Sequence, residues 1–199
     1  MTDSGVNKGR RRFLVGATSV VGAAGAVGVA VPFLSSWQPS ARARAAGAPV
    51  KADISKLEPG QRMTVEWRGR PVWVLYRTPE MIERTEALGG ELLADPGSEE
   101  PQQPGYAGGP LRAIRPEIGV LIGICTHLGC SPLFKPDPGA DDVGVADWPG
   151  GFFCPCHGSR FDLAGRVFAN VPAPLNLEVP PYRFESDDVI VVGEDEETA

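Results

Sequence analysis

Histidine is almost missing from this chain. There are two in 199 residues, beside four cysteines, and all six lie between Cys125 and His157. Nothing outside that window can supply a thiolate or an imidazole, so any chemistry built on either is confined to one short stretch. A concentrated positive surface is lacking too. The formal net charge is -6, the pI is near 5.0, and the basic residues are scattered, which argues against a nucleic-acid partner, because phosphate binding demands clustered cations. No internal repeat is evident, and one apolar run alone is long. From Phe13 to Leu34 there is no charge, and at about 1.5 Å rise per residue that run reaches roughly 33 Å, enough to cross a hydrocarbon core of about 30 Å. What is plentiful is glycine and proline, 25 and 20 respectively. Set between Val-rich runs of strand length, they point to a loop-rich, mainly β domain.

The N-terminus carries an address. Arg10 and Arg11, followed by Arg12, Phe13 and Leu14, resemble the twin-arginine export signal, which moves folded proteins across a bacterial inner membrane. That route suits a protein whose cofactor is inserted before export. A cleaved signal peptide competes with a retained anchor, but the small-residue triplets in "SARARAAGA" stand well beyond the usual distance from the apolar run, so retention is expected. Lys8 and Arg10 to Arg12 then sit on the cytoplasmic side. The organisation reads as a cytoplasmic twin-arginine segment (1–12), a transmembrane anchor (13–34), an Ala- and Pro-rich flexible hinge linker (35–50) and a periplasmic domain (51–199).

Within that domain, "MTVEW" and "PVWVLYR" around the turn "RGR" predict a hairpin. Thr78 with Pro79 and Glu80 predicts the capped start of a short helix running to about Leu88. Residues 89–110 are polar and full of breakers and read as a surface loop. "EIGVLIGIC" and "GGFFC" read as strands that deliver the chain to Cys125 and Cys154, and "YRFESDDVIVVG" reads as a closing hairpin turning at Asp187 and Asp188. The last residues, "EDEETA", read as a solvated acidic end.

The ligand-type residues fall in two boxes, "CTHLGC" (125–130) and "CPCHGS" (154–159), each on a loop after an apolar strand. Six candidates exceed the four places of one tetrahedral ion. A structural zinc held by two cysteines and two histidines leaves two thiols over, which suits an oxidising compartment poorly. Two disulfides leave both histidines without a role. A [2Fe-2S] cluster with two cysteine and two histidine ligands, plus one disulfide, gives each of the six a task.

The two boxes resemble those of the Rieske iron-sulfur family. The second cysteine in each box is similar to the quinol-oxidising branch, and "PAPLNLEVP" (172–180) is similar to that branch's proline-rich cover loop. The twin arginines, single span, Ala-rich linker and "ISKLEPGQRMTVEWRGRPVWV" resemble the iron-sulfur subunits of bacterial cytochrome bc1 complexes. The resemblance implies a mainly β fold, a Rieske-type antiparallel β-sandwich with a small rubredoxin-like cluster-binding subdomain at about residues 122–176, plus one N-terminal transmembrane helix. It implies Cys125, His127, Cys154 and His157 as ligands to one [2Fe-2S] cluster, Cys130 and Cys156 as a disulfide, Ser159 as a hydrogen-bond donor to a cluster sulfide, and Leu128 as a shield. Gly129 and Gly158 would let the backbone approach the cluster closely.

The implied function is transfer of one electron, with one proton through His157, from a quinol at cytochrome b to cytochrome c1. The chain would be part of a dimeric complex anchored in the inner membrane. The alternative is a relay subunit of another exported oxidoreductase such as an arsenite oxidase, and a zinc-binding interaction module is a third reading. Three departures from the family pattern stand out. Val171 occupies the place of a glycine before Pro-Ala-Pro. Residues 131–153 form a longer insertion, expected to be tolerated surface loop. Phe161 replaces a tyrosine whose hydroxyl would hydrogen-bond a ligand sulfur.

Overall fold

The computed structural model describes residue 5, residues 7–145 and residues 147–195. The chain divides into two compact units, the first ending at Ala45 and the second starting at Ala46.

The first unit is dominated by α1 (Lys8–Ser35), whose Asn7 side chain accepts a hydrogen bond from the Arg10 N–H at 3.0 Å. That satisfies one of the amides that every helix start leaves without a partner. None of its residues is buried, and it is long and apolar enough to cross a membrane. A second helix, α2 (Ala41–Ala46), interrupts the segment read as unstructured linker. Ser40 Oγ accepts from the Ala43 N–H at 3.1 Å, and alanine and arginine are strong helix formers. The apolar period gave no sign of α2 because residues 41–45 are all exposed.

Among the described residues, the second unit holds nine strands in three antiparallel sheets. β1 (Val50–Asp53) precedes the hairpin β2 (Arg62–Trp67) and β3 (Arg70–Tyr76), then α3 (Pro79–Ala87) and β4 (Ile118–Ile122). β5 (Leu133–Lys135), β6 (Gly151–Phe153) and β7 (Arg160–Phe161) follow, and β8 (Tyr182–Ser186) with β9 (Val189–Val192) closes the domain. The sheets are β1-β9-β8, β2-β3-β4 and β5-β6-β7. The hairpin turn at Arg68 and Gly69 has positive φ at both positions, the twist that two-residue hairpins favour. Thr78 caps α3 as expected, accepting from the Met81 N–H at 3.3 Å. Ala52, Tyr182, Ile190 and Val192 from the first sheet share one core with Trp67, Val72, Val74 and Val120 from the second, which makes the two a sandwich. The third, smaller sheet carries the second box between β6 and β7, and the first box joins β4 of the second sheet to β5 of the third.

Two loop expectations need correction. Residues 89–110 are not merely surface, since Leu93 and Ala107 are buried, Leu93 bridges Phe168, and the Ala94 N–H donates to the Val167 carbonyl at 3.0 Å. The insertion 131–153 contributes β5, all of β6 and buried side chains that include Val143, Trp148 and Phe152. In both, a few apolar residues in a polar run anchor the whole segment. At the C-terminal end, Glu194 pairs with Arg183 at 2.9 Å, and residues 196–199 lie outside the described residues.

Behind the small sheet lies a buried ionic knot. Asp162 Oδ1 accepts from the N–H groups of Ala164 and Arg166 at 2.9 and 2.7 Å, and its Oδ2 accepts from Arg166 Nε at 2.7 Å. Two further buried arginines clamp the same turn. Arg77 Nε donates to the Leu163 carbonyl at 3.2 Å and Arg112 Nη1 to the Ala164 carbonyl at 3.1 Å. Burial pushes Arg77 and Arg112 each down to about 10, against the attraction of Asp162.

Candidate metal centre

Strand β4 ends three residues before Cys125 and β6 ends directly before Cys154, so two sheets present the two boxes as loops. The loops repeat one hydrogen-bond pattern. The Cys125 N–H donates to the Cys130 carbonyl at 2.7 Å and the Gly129 N–H to the Cys125 carbonyl at 3.1 Å. In the second box, the Cys154 N–H donates to the Ser159 carbonyl at 2.8 Å and the Gly158 N–H to the Cys154 carbonyl at 2.9 Å. Gly129 and Gly158 make both turns possible, with φ of 82° and 79°, a conformation that a Cβ would strain.

A disulfide between Cys130 and Cys156 joins the loops. Cys125 and Cys154 remain free thiols, 3% and 2% exposed. This removes the reading in which all four cysteines are paired. The sulfurs of Cys130, Cys154 and Cys156 lie within 4.8 Å of one another, but two of them form the disulfide and carry no thiolate for a metal. Burial pushes the Cys154 thiol up, and the neighbouring Cys125 adds to the rise. Two buried thiols side by side become thiolates readily only against a compensating positive centre.

The histidines meet on the same loops. Their ring centroids are 4.8 Å apart and the rings stand nearly perpendicular at 88°. His127 is half-buried and its Nδ1 is enclosed without a hydrogen-bond partner among the described residues, whereas His157 is exposed. An enclosed ring nitrogen without a partner costs free energy unless something fills the site, and an imidazole nitrogen is a metal donor. Two buried thiols, one orphaned imidazole nitrogen and a second imidazole against it are the donor types that a cluster with mixed cysteine and histidine ligands requires. The residues present therefore fit the [2Fe-2S] cluster that the sequence implied.

Around them, Leu128 is 70% exposed beside His127. Ser159 is fully buried, and its Oγ accepts from the Ala173 N–H at 3.0 Å. Two residues of this environment escape a reading of the sequence. Thr126 Oγ1 donates to the Leu175 carbonyl at 2.6 Å, tying the first box to the cover loop. Asn176 is buried, accepting from the Val167 N–H at 2.8 Å and donating to the Asp95 carbonyl at 3.2 Å. The Leu175 carbonyl that Thr126 serves and the Asp95 carbonyl that Asn176 serves lie 49 and 81 residues away, so no motif spacing marks them. At the glycine-to-valine departure, the left-handed residue is Asn170 (φ 59°), one place before Val171. Asparagine tolerates that conformation, which frees Val171 from needing it.

Phe161 is fully buried in the same core as Cys125 and Cys154. A hydroxyl added to that ring has the ligand sulfurs as its expected acceptors, and such a bond favours the reduced, more negative state. Phe161→Tyr is expected to raise the midpoint potential in a redox titration, and an unchanged or lowered value would show that the ring does not address a ligand sulfur.

Comparison with known proteins completes the description. A family model described as the Rieske [2Fe-2S] domain matches residues 49–182. A second, described as the ubiquitinol-cytochrome c reductase Fe-S subunit TAT signal, matches residues 1–40. The ubiquinol-cytochrome c reductase iron-sulfur subunit of Allochromatium vinosum is 61% identical over 199 residues, covering 100% of this chain and 95% of that protein. The protein of the same name from Bradyrhizobium diazoefficiens is 41% identical over 184 residues, covering 92% and 94%. Among solved structures, one titled hyperthermophilic respiratory Complex III aligns with a TM-score of 0.46 and 26% identity, covering 90% of this chain and 98% of that one.

Proposed function

The chain belongs to the Rieske [2Fe-2S] family, and on that premise we propose that it is the electron-transfer subunit of a quinol-cytochrome c oxidoreductase. The observation that carries this reading is the full-length 61% identity to a protein of that name, from signal to C-terminus. The geometry agrees with it, because an exposed imidazole packs against a half-buried one on the two loops that also carry two buried free thiols.

In this reading Cys125 and Cys154 hold one iron, and His127 and His157 hold the other. The bound cluster supplies one-electron chemistry at a potential raised by its neutral imidazole ligands, within roughly -150 to +300 mV. The protein's own residues do the rest. His157, exposed at the loop tip, offers its outer ring nitrogen to a quinol hydroxyl and takes the proton that leaves with the electron. Leu128 presents an apolar contact beside it. Ser159 donates its remaining O–H toward a sulfide, and the disulfide holds the loops in register. Burial of the two thiols keeps water from their sulfurs.

The partners in this account are cytochrome b, where the quinol binds, and cytochrome c1, which accepts the electron, within a dimeric complex. Helix α1 anchors the chain in the bacterial inner membrane, with Lys8 and Arg10 to Arg12 cytoplasmic and the second unit periplasmic. Residues 35–50 serve as the hinge on which that unit reaches both cytochromes in turn. The test is co-purification. Full-length tagged chain, solubilised from its native membrane in mild detergent, is expected to bring down a b-type and a c-type cytochrome with quinol-cytochrome c reductase activity. Recovery with a different oxidoreductase that lacks cytochrome b would contradict the assignment.

A further inference from the structure

Resting on this cluster reading, one residue outside both boxes acquires a role. Trp148, in the insertion, is 1% exposed. Its Nε1–H donates to the Lys135 carbonyl at 2.9 Å, its own carbonyl accepts from the Gly139 N–H at 2.8 Å, and Lys135 pairs with Asp142. These bonds close the insertion on itself and lock the indole in place. Arg84 Nε of α3 donates to the adjoining Pro149 carbonyl at 3.0 Å, fixing the insertion to the domain.

The indole stacks on Phe168, with centroids 5.7 Å apart and planes 27° from parallel. Together with Leu93 and Val143 these rings form a small second core, against which Phe153 and Val171 pack. Both contacts sit next to the cluster's supports. Phe153 directly precedes Cys154, and Val171 opens the cover loop while packing on the main core as well. Two residues after Val171, the Ala173 N–H donates to Ser159 Oγ at 3.0 Å. A hydroxyl has one proton and two acceptor sites, so receiving that bond fixes the orientation in which Ser159 gives its own proton away.

We propose that Trp148 is a positioning residue for the cluster. Through Val171 it holds the cover loop, and through the Ala173 amide it sets the Ser159 hydroxyl that tunes the reduction potential. The insertion is thereby a buttress for the cover loop. Loss of the buttress lets the cover loop relax, weakens the Ser159 hydrogen bond and destabilises the reduced, more negative state.

The test uses the full-length chain with its cluster, titrated by EPR and circular dichroism. Trp148→Ala is expected to lower the equilibrium constant for reduction about threefold, roughly 28 mV for one electron at about 59 mV per tenfold, with iron content unchanged. Trp148→Phe retains a stacked ring and is expected to recover most of the shift. In a Ser159→Ala background, Trp148→Ala is expected to add nothing, because the path ends at that hydroxyl. An unchanged potential in Trp148→Ala, or an undiminished shift in the Ser159→Ala background, overturns the proposal. If Trp148→Ala loses its cluster, Val171→Ala makes a smaller cut in the same path, and the same two outcomes decide. A wild-type chain without a Rieske spectrum would overturn the underlying reading instead.

Discussion

Replacing His157 by alanine is expected to abolish the Rieske absorbance and EPR signals and all quinol-dependent cytochrome c reduction, while the domain stays folded. The side chain is exposed and belongs to neither buried core, so its removal opens no cavity, and the stability lost is that which the bound cluster itself contributes. The disulfide between Cys130 and Cys156 does not involve it. Loss of the spectrum with the far-UV circular dichroism of the wild type and the unfolding transition of the cluster-free wild-type chain would therefore report a lost ligand rather than a lost fold. His127→Ala is expected to match it spectroscopically, since His127 contributes the enclosed Nδ1. Survival of the normal spectrum in His157→Ala would remove this residue from the ligand set, and with it the proton path from quinol.

The second large effect concerns stability. Asp162 is the carboxylate at the centre of three buried arginines, and it pairs with Arg166 at 2.7 Å. Burial pushes its carboxyl up despite the pull of Arg166, so the ion pair is not itself a source of net stability. The asymmetry appears when one partner goes. Asp162→Ala strips Arg166 of its counter-charge and leaves the amides of Ala164 and Arg166 without their acceptor. Breaking a buried pair in this way costs about 3–5 kcal/mol. For a domain of this size, each kcal/mol moves the midpoint by about 2–4 °C, so thermal unfolding is expected to fall by roughly 6–20 °C. Asp162→Asn keeps an oxygen for the two amides and is expected to lose less. A Tm within a degree or two of wild type in Asp162→Ala would show that the knot relaxes to water.

How much of this could be read in the sequence depends on where each residue's partners lie. The boxes were legible because the chain confines every thiol and imidazole to one window, and strands β3, β4 and β9 announce themselves by β-branched and aromatic runs. The hairpin turn at Arg68 and Gly69 and the Thr78 cap follow from local backbone chemistry. What stayed hidden depends on contacts across the chain. Nothing local in the sequence marks Arg77, Arg112 or Arg166 as core residues, yet all three are buried around the turn after β7. Trp148 stands alone among proline, glycine and aspartate, so its segment reads as tolerated loop until Phe168 is seen against it. Thr126 and Asn176 each serve a carbonyl far away in sequence, those of Leu175 and Asp95. Helix α2 had no apolar period to display because none of its described side chains is buried.

The central claim is that two cysteines and two histidines of this chain hold one [2Fe-2S] cluster. Pulsed EPR of the reduced, full-length protein with ¹⁵N-labelled histidine tests it most directly, because it counts coordinated nitrogens independently of turnover. The account predicts couplings from two histidine nitrogens that change to the ¹⁵N pattern on labelling and vanish with the cluster in His157→Ala. A cluster signal without histidine nitrogen coupling, or a chain that carries zinc and no such signal, would contradict it.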